Sequence, residues 1–176
     1  MVLAFFIMMI FTAGMFTAAI RDASTMTIPN WASLLVIGGF FLVVPFMWPA
    51  WSVAGSPWPV LGEHMAVGLT VFAVGFAMFA FGWLGGGDAK LMAATAFWWQ
   101  WPDMLMYLFY TTFSGGILAL LIVFGRKYVP VQVLTMPWLH RLLKDETRMP
   151  YGLALAFGAL VTLPQSEIFK AALGLN

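Results

Sequence analysis

Charge is missing from most of this chain: no Asp, Glu, Lys or Arg occurs from Met1 to Ile20, from Trp31 to Gly62, from Met65 to Gly87 or from Met104 to Gly125. A helix that crosses the hydrocarbon of a bilayer needs roughly 20 mostly apolar residues, and these runs are of that length. Only 9% of the residues are charged, against about 25% in a soluble domain, so a folded chain of this composition cannot cover its apolar surface with water-compatible groups. The sequence therefore predicts an all-α membrane protein, a polytopic bundle of about six transmembrane helices. These lie near Met1 to Ile20, Trp31 to Trp48, Glu63 to Trp83, Asp88 to Trp101, Met104 to Gly125 and Met149 to Leu163. Residues 1–176 read as one integral-membrane domain with no soluble domain. The first run lacks the basic start and small-residue cleavage site of a signal peptide, so it is expected to be retained.

Short loops rich in Lys and Arg stay in the cytoplasm. Arg21, Lys90, Arg126, Lys127, Arg141, Lys144 and Arg148 fall on one side of the six-helix arrangement and only Lys170 on the other, which predicts both termini outside. Tryptophan prefers the headgroup level. Trp48, Trp51, Trp58, Trp98, Trp99 and Trp101 are expected at outer helix ends, and Trp31, Trp83 and Trp138 near inner ones. The three prolines of Pro49 to Gly62 read as an interfacial loop. The segment Val131 to Arg148 places Val131, Leu134, Trp138 and Leu142 near one helical face. It reads either as an interfacial helix that gates access or as a connector kinked at Pro137.

The acidic residues of the inner side carry the chemistry. The fourth helix is short: from Asp88 to Trp101 spans ~20 Å, against a hydrocarbon thickness of ~30 Å. If its tryptophans sit at the outer headgroups, Asp88 is drawn below the inner surface, and a carboxylate there usually faces a cavity and marks function. Gly85, Gly86 and Gly87 allow positive φ and close backbone approach, as a cleft for an extended peptide requires. An N-cap role for Asp88 fits the same residues. Asp22 ends the first helix, where the dipole disfavours negative charge; an ion pair with Arg21 or Arg126 is the competing reading. Brought together, two aspartates divide proton duties, one as acid and one as the base that activates water, and titrate as a unit.

Other chemistries fare worse. There is no cysteine, which excludes disulfides, thiol nucleophiles and thiolate metal sites. His64 and His140 fall on opposite faces and read as interfacial residues. No hydroxyl near His140 stands out for a Ser-His-Asp site. Glu63, Asp103 and Glu167 lie at outer helix ends, where solvated carboxylates need no function. A net charge of +1 without a basic stripe argues against nucleic acid as a partner.

Asp22 with Ile28-Pro29-Asn30, followed by Gly85-Gly86-Gly87-Asp88-Ala89-Lys90-Leu91, resembles the type IV prepilin peptidases, polytopic aspartic proteases of the inner membrane. The second stretch matches their G-x-G-D motif and the x-K-L after it. Met149-Pro150-Tyr151-Gly152, leading into an Ala/Gly-rich helix, is similar to the family's last segment. Presenilin-like proteases share G-x-G-D, but their Tyr-Asp pair and Pro-Ala-Leu element do not occur here.

The resemblance implies Asp22 and Asp88 as the catalytic pair, Gly85 and Gly87 as shaping the turn that presents Asp88, and Lys90 as a supporting position. Lys90 reads as holding a carboxylate ionised, as binding substrate backbone, or as an interface anchor. Bifunctional family members carry a cysteine-rich loop and methylate the new N-terminus. Without cysteine or such an insertion, this chain resembles the short form serving Flp/Tad-type pili, with no metal, no cofactor and no methyltransferase. The implied partners are prepilin and pseudopilin precursors in the bilayer of the inner (plasma) membrane, cleaved on the cytoplasmic side. A proton- or ion-coupled transporter using Asp22 or Asp88 as titrating groups is the alternative from another class. It more often places charge at the bilayer midplane within internal repeats.

Overall fold

The computed structural model describes residues 2–52, 55–130, 136–140, 142–143 and 149–175, and among these every regular element is helical. Eight helices follow in chain order: α1 (Val2–Thr25), α2 (Asn30–Trp51), α3 (Trp58–Ala80), α4 (Gly86–Ala96), α5 (Trp101–Tyr128), α6 (Pro137–His140), α7 (Tyr151–Thr162) and α8 (Glu167–Leu173). Four of them, α1, α2, α3 and α5, are long and apolar enough to cross a membrane. A fifth crossing is available if α7, its 3₁₀ extension Leu163–Gln165 and α8 act together across a 44° bend. Large apolar side chains such as Phe46, Leu105 and Phe76 stay exposed on the bundle's outside, where lipid is the natural solvent. The protein is thus a multi-pass helical membrane bundle.

Packing follows small residues. Gly14 meets Val36 where α1 crosses α2, Gly68 meets the Phe97 ring where α3 crosses the end of α4, and Gly115 meets Tyr151 where α5 crosses α7. In lipid, where apolar contact alone does not favour helix association over lipid contact, such close backbone approach is the main source of packing energy. The tightest pairings are α5 with α7 and α3 with α4, with α1 against both α2 and α7.

Several expectations are corrected. The proline-rich connector is much shorter than Pro49 to Gly62. α2 continues through Pro45 and Pro49 to Trp51, and α3 starts at Trp58 with Pro59 in its first turn, where a missing N–H costs nothing. Trp98 and Trp99 do not mark a membrane interface. Both are fully buried, with Phe11 of α1 edge-on to each ring and Phe40 of α2 edge-on to Trp98. These partners lie in the middle of their helices, so the tryptophans plug the bundle at mid-depth. The Trp98 indole N–H, which would be costly unpaired, donates to the Val36 carbonyl at 2.9 Å. α4 is therefore an eleven-residue half-helix, and it does not pull Asp88 inward from an anchored outer end.

His64 is not interfacial either. It is fully buried, stacked 5.5 Å from Trp51 and hydrogen-bonded through Nδ1 to the Phe97 carbonyl at 3.1 Å. Asp103 is buried rather than solvated, and accepts from the Glu167 N–H at 3.2 Å, which pins α8 to the start of α5. Glu63 accepts from the Trp101 N–H at 3.1 Å, and Glu167 pairs with Lys170 at 2.8 Å. Most of the Val131 to Arg148 segment lies outside the described residues, including Val131, Leu134, Arg141, Lys144, Asp145, Glu146 and Arg148. Within it Pro137–His140 forms one helical turn, and Leu142 and Leu143 pack on Ile122.

Candidate active site

α1 runs past its expected end at Ile20 to Thr25 and closes at Met26, whose φ of 54° is the left-handed cap conformation usually given to glycine. Asp22 therefore stands in the last helical turn and not in the loop. Its carboxylate escapes its own helix's negative end by reaching a different helix: Oδ2 accepts the Gly152 N–H at 2.7 Å, in the first turn of α7. The unpaired N–H groups and positive dipole end of α7 suit an anionic oxygen. Among the described residues this is the bond Asp22 makes, and the expected ion pair with Arg21 or Arg126 is not what holds it. Asp22 is 6% exposed, so the contact is shielded from water.

The approach depends on Gly152 having no side chain. A Cβ there would lie 2.8 Å from Asp22 Oδ2 and 2.9 Å from its Cβ. Neighbouring Tyr151 lays its ring over Gly115, again where a Cβ would collide, at 2.8 Å. α5, α7 and the end of α1 are locked together at this one corner.

Asp88 comes from α4. Gly85 is the N-cap and has no side chain to cap with, and among the described residues the Asp88 carboxyl in the first turn makes no hydrogen bond to this helix start, although it lies over Gly85. The charge of Asp22 acts on Asp88 through space, and Asp88 in turn acts on Tyr151. Two carboxyls 66 positions apart in sequence are thus gathered at the same end of the bundle, near enough to feel one another's charge, with Tyr151 next to the Gly152 that binds Asp22.

The three glycines serve close approach and not the sharp turn. The positive φ of this connection belongs to Gly82, at 73°, whereas Gly85 is extended at −66° and 141°. Gly87 sits against Ile28, where a Cβ would come within 3.1 Å of the Ile28 Cβ, and a Cβ on Gly85 would come within 2.7 Å of Asp88 Oδ2. The polar loop after Asp22 is thereby laid on the start of α4. Lys90 reinforces this, its Nζ donating to Asn30 Oδ1 at 3.1 Å. The lysine tethers the Ile28-Pro29-Asn30 stretch to the helix that carries Asp88.

The expected residues Asp22, Asp88, Gly85, Gly87 and Lys90 all converge on this corner. Tyr151, Gly152 and Asn30 join them. The similarity of Met149 to Gly152 to a known segment pointed to the first two, but only the fold gives them partners.

Fold and site together define a polytopic helical membrane protein that gathers two carboxyls at one end of its bundle. The chain belongs to the type IV leader peptidase family, whose sequence model matches residues 9–120, from α1 well into α5. It is accordingly a membrane-embedded peptidase of prepilin-peptidase type. The matched region contains both aspartates and the Gly85–Gly87 run, and stops short of Tyr151 and Gly152. No curated protein and no solved structure matches the chain.

Proposed function

We propose that this protein is an aspartic endopeptidase in which Asp22 and Asp88 jointly hydrolyse one peptide bond of a prepilin or pseudopilin precursor, removing its short leader. The observation that carries this reading is the Gly152 N–H held by Asp22 of α1 at the end of the bundle where α4 brings Asp88 within reach of its charge. A backbone N–H donated to a carboxylate oxygen favours its ionised form, and two adjacent carboxyls do not both ionise cheaply. Asp22 is then the base and Asp88 the proton carrier.

Asp22 takes a proton from a water molecule as the water oxygen bonds to the scissile carbonyl carbon, while Asp88 gives its proton to the carbonyl oxygen. The tetrahedral intermediate collapses as the proton on Asp22 passes to the amide nitrogen, the C–N bond breaks, and Asp88 recovers a proton from the gem-diol hydroxyl. The new amine and new carboxyl leave, and both aspartates are restored. No metal or other cofactor is required by this balance. Gly85 and Gly87 shape the approach to Asp88, and Lys90 holds the Asp22 side of the cleft through Asn30.

The finer assignment follows from the sequence. The Lys/Arg bias places this end of the bundle toward the cytoplasm of the bacterial inner membrane, with both termini outside. The absence of cysteine from residues 1–176 suits a Flp/Tad-type peptidase that does not methylate the new N-terminus. The test is cleavage of a co-expressed Flp-type prepilin, read as a mobility shift, by the wild type, Asp22→Asn and Asp88→Asn, each confirmed in the membrane fraction. Cleavage by the wild type and loss of about 10²-fold or more in each variant is expected. Retained cleavage in either variant removes that aspartate from the mechanism. If the wild type cleaves nothing, proton-coupled transport in liposomes becomes the next measurement.

A further inference from the structure

α3 packs on α4 and α5 packs on α7, but α3 and α5 barely touch, and a groove of about 610 Å³ opens between them. Its walls are Val74 and Met78 from α3, Met92 from α4, and Met104, Leu105 and Leu108 from α5. On α5 the lining runs from Trp101 to Thr112 along one helical face, ~16 Å of helix. At one end it reaches Gly85, over which the Asp88 carboxyl lies, and Tyr151, next to the Gly152 that binds Asp22. Apart from Thr70, Thr111 and Thr112 its lining is apolar, and its rim is open to the outside of the bundle: Leu105 is 67% and Val74 is 52% exposed.

We propose that this groove is the docking site for an apolar helix of the substrate, seated between α3 and α5 so that the residues beyond its end fall between Asp22 and Asp88. This deepens the peptidase reading and rests on it. The occupant follows from the chemistry of the walls and their position. A groove at membrane depth with apolar walls rejects a polar segment. Any peptide inside hydrocarbon must satisfy its own backbone hydrogen bonds, which makes it helical. Flexible methionines on α3, α4 and α5 suit partners of varied side-chain shape. The continuity with Gly85 and Tyr151 distinguishes a substrate track from an annular lipid site, because only an occupant that extends past the groove's end uses the carboxyls there. On this assignment the protein selects a bond by its distance from the end of an apolar helix, and only secondarily by its flanking side chains.

The experiment uses the full-length protein in proteoliposomes with two substrates: a membrane-inserted Flp-type prepilin and a short soluble peptide spanning its cleavage junction. Val74→Trp and Leu105→Trp fill the groove at positions already exposed, on α3 and α5 and not on the helices that carry Asp22 and Asp88. Each is expected to slow prepilin cleavage about tenfold or more while peptide cleavage stays at the wild-type rate. Prepilin cleaved at the wild-type rate by both variants overturns the assignment, as does an equal loss on both substrates, which would mean a distorted site. A photo-crosslinking residue at 105, in the Asp88→Asn background, gives an arm independent of catalysis. Adducts with the prepilin's apolar segment are expected, and lipid adducts alone overturn the docking. Adducts with prepilin in a protein whose wild type cleaves neither substrate would keep the groove and refute the aspartic chemistry.

Discussion

Replacing Gly152 with alanine tests the geometry of the acidic corner by adding a single methyl group. The new carbon would stand 2.8, 2.9 and 3.1 Å from Oδ2, Cβ and Cγ of Asp22. Ordinary carbon contacts begin near 3.5 Å, so Asp22 must retreat by about 0.6 Å or more. The 2.7 Å bond from Gly152 N–H then stretches to about 3.3 Å or more, past the ordinary range, and loses much of its strength. A hydrogen bond to a charged group contributes about 1.5–3 kcal/mol, which corresponds to a loss of roughly ten- to hundredfold in rate if it holds the base in place for reaction. Stability should behave differently. Alanine in a helix is favoured over glycine by up to about 1 kcal/mol, which offsets the contact strain, so thermal unfolding in detergent should shift by only a few degrees. The control is Gly116→Ala on α5, where an added Cβ meets nothing within 4 Å and both activity and stability should hold or improve. Gly152→Ala that cleaves prepilin within about twofold of wild type, a change of under ~0.5 kcal/mol in the barrier, would refute the role given to this contact.

Other substitutions probe the frame around the pair. Lys90→Met and Asn30→Ala remove the two halves of one 3.1 Å bond and should each slow cleavage several-fold, with the double variant no slower than either single one; additive losses would show that the tether is not how they act. Asp103→Ala frees α8 from the start of α5 and should lower stability by about 1–2 kcal/mol in a denaturation measurement while leaving cleavage unchanged, since α8 lies at the bundle end away from Asp22; an equal fall in activity would contradict that separation. Because the chain has no cysteine, Ser24→Cys provides a unique and exposed thiol beside the site, which an impermeant reagent should label only from the cytoplasmic side; labelling from outside would reverse the orientation.

Much of this molecule could be read before any fold was known, because the bilayer makes hydrophobic length a nearly sufficient signal. All six predicted helical runs exist, with ends displaced by a few residues where local cues compete: α2 absorbs two prolines, and α1 continues through Arg21 and Asp22. The carboxyls of Asp22 and Asp88 stood out because charge is costly in such a chain and therefore rare. Tryptophan and histidine misled for a related reason. An amphipathic ring suits either an interface or a buried site that offers a hydrogen-bond partner, and only tertiary structure supplies the Val36 carbonyl for Trp98 or the Phe97 carbonyl for His64.

What the sequence determined by itself is the apolar helical runs and the two unusual aspartates, since both follow from counting apolar and charged residues along the chain; that four or five of the six runs are long enough to cross came from the structure. The tertiary structure decided what those aspartates meet. Asp22 receives its N–H from a residue 130 positions away, and the Asp88 carboxyl lies over Gly85 without a capping hydrogen bond among the described residues. The groove beside them exists because α3 and α5 each pack on a different neighbour. Such contacts depend on the absence of a Cβ at Gly152, Gly115 and Gly87, and on how closely helices distant in sequence can therefore approach. Local pattern carries the presence of a glycine, but not the identity of the atom that will occupy the space it leaves.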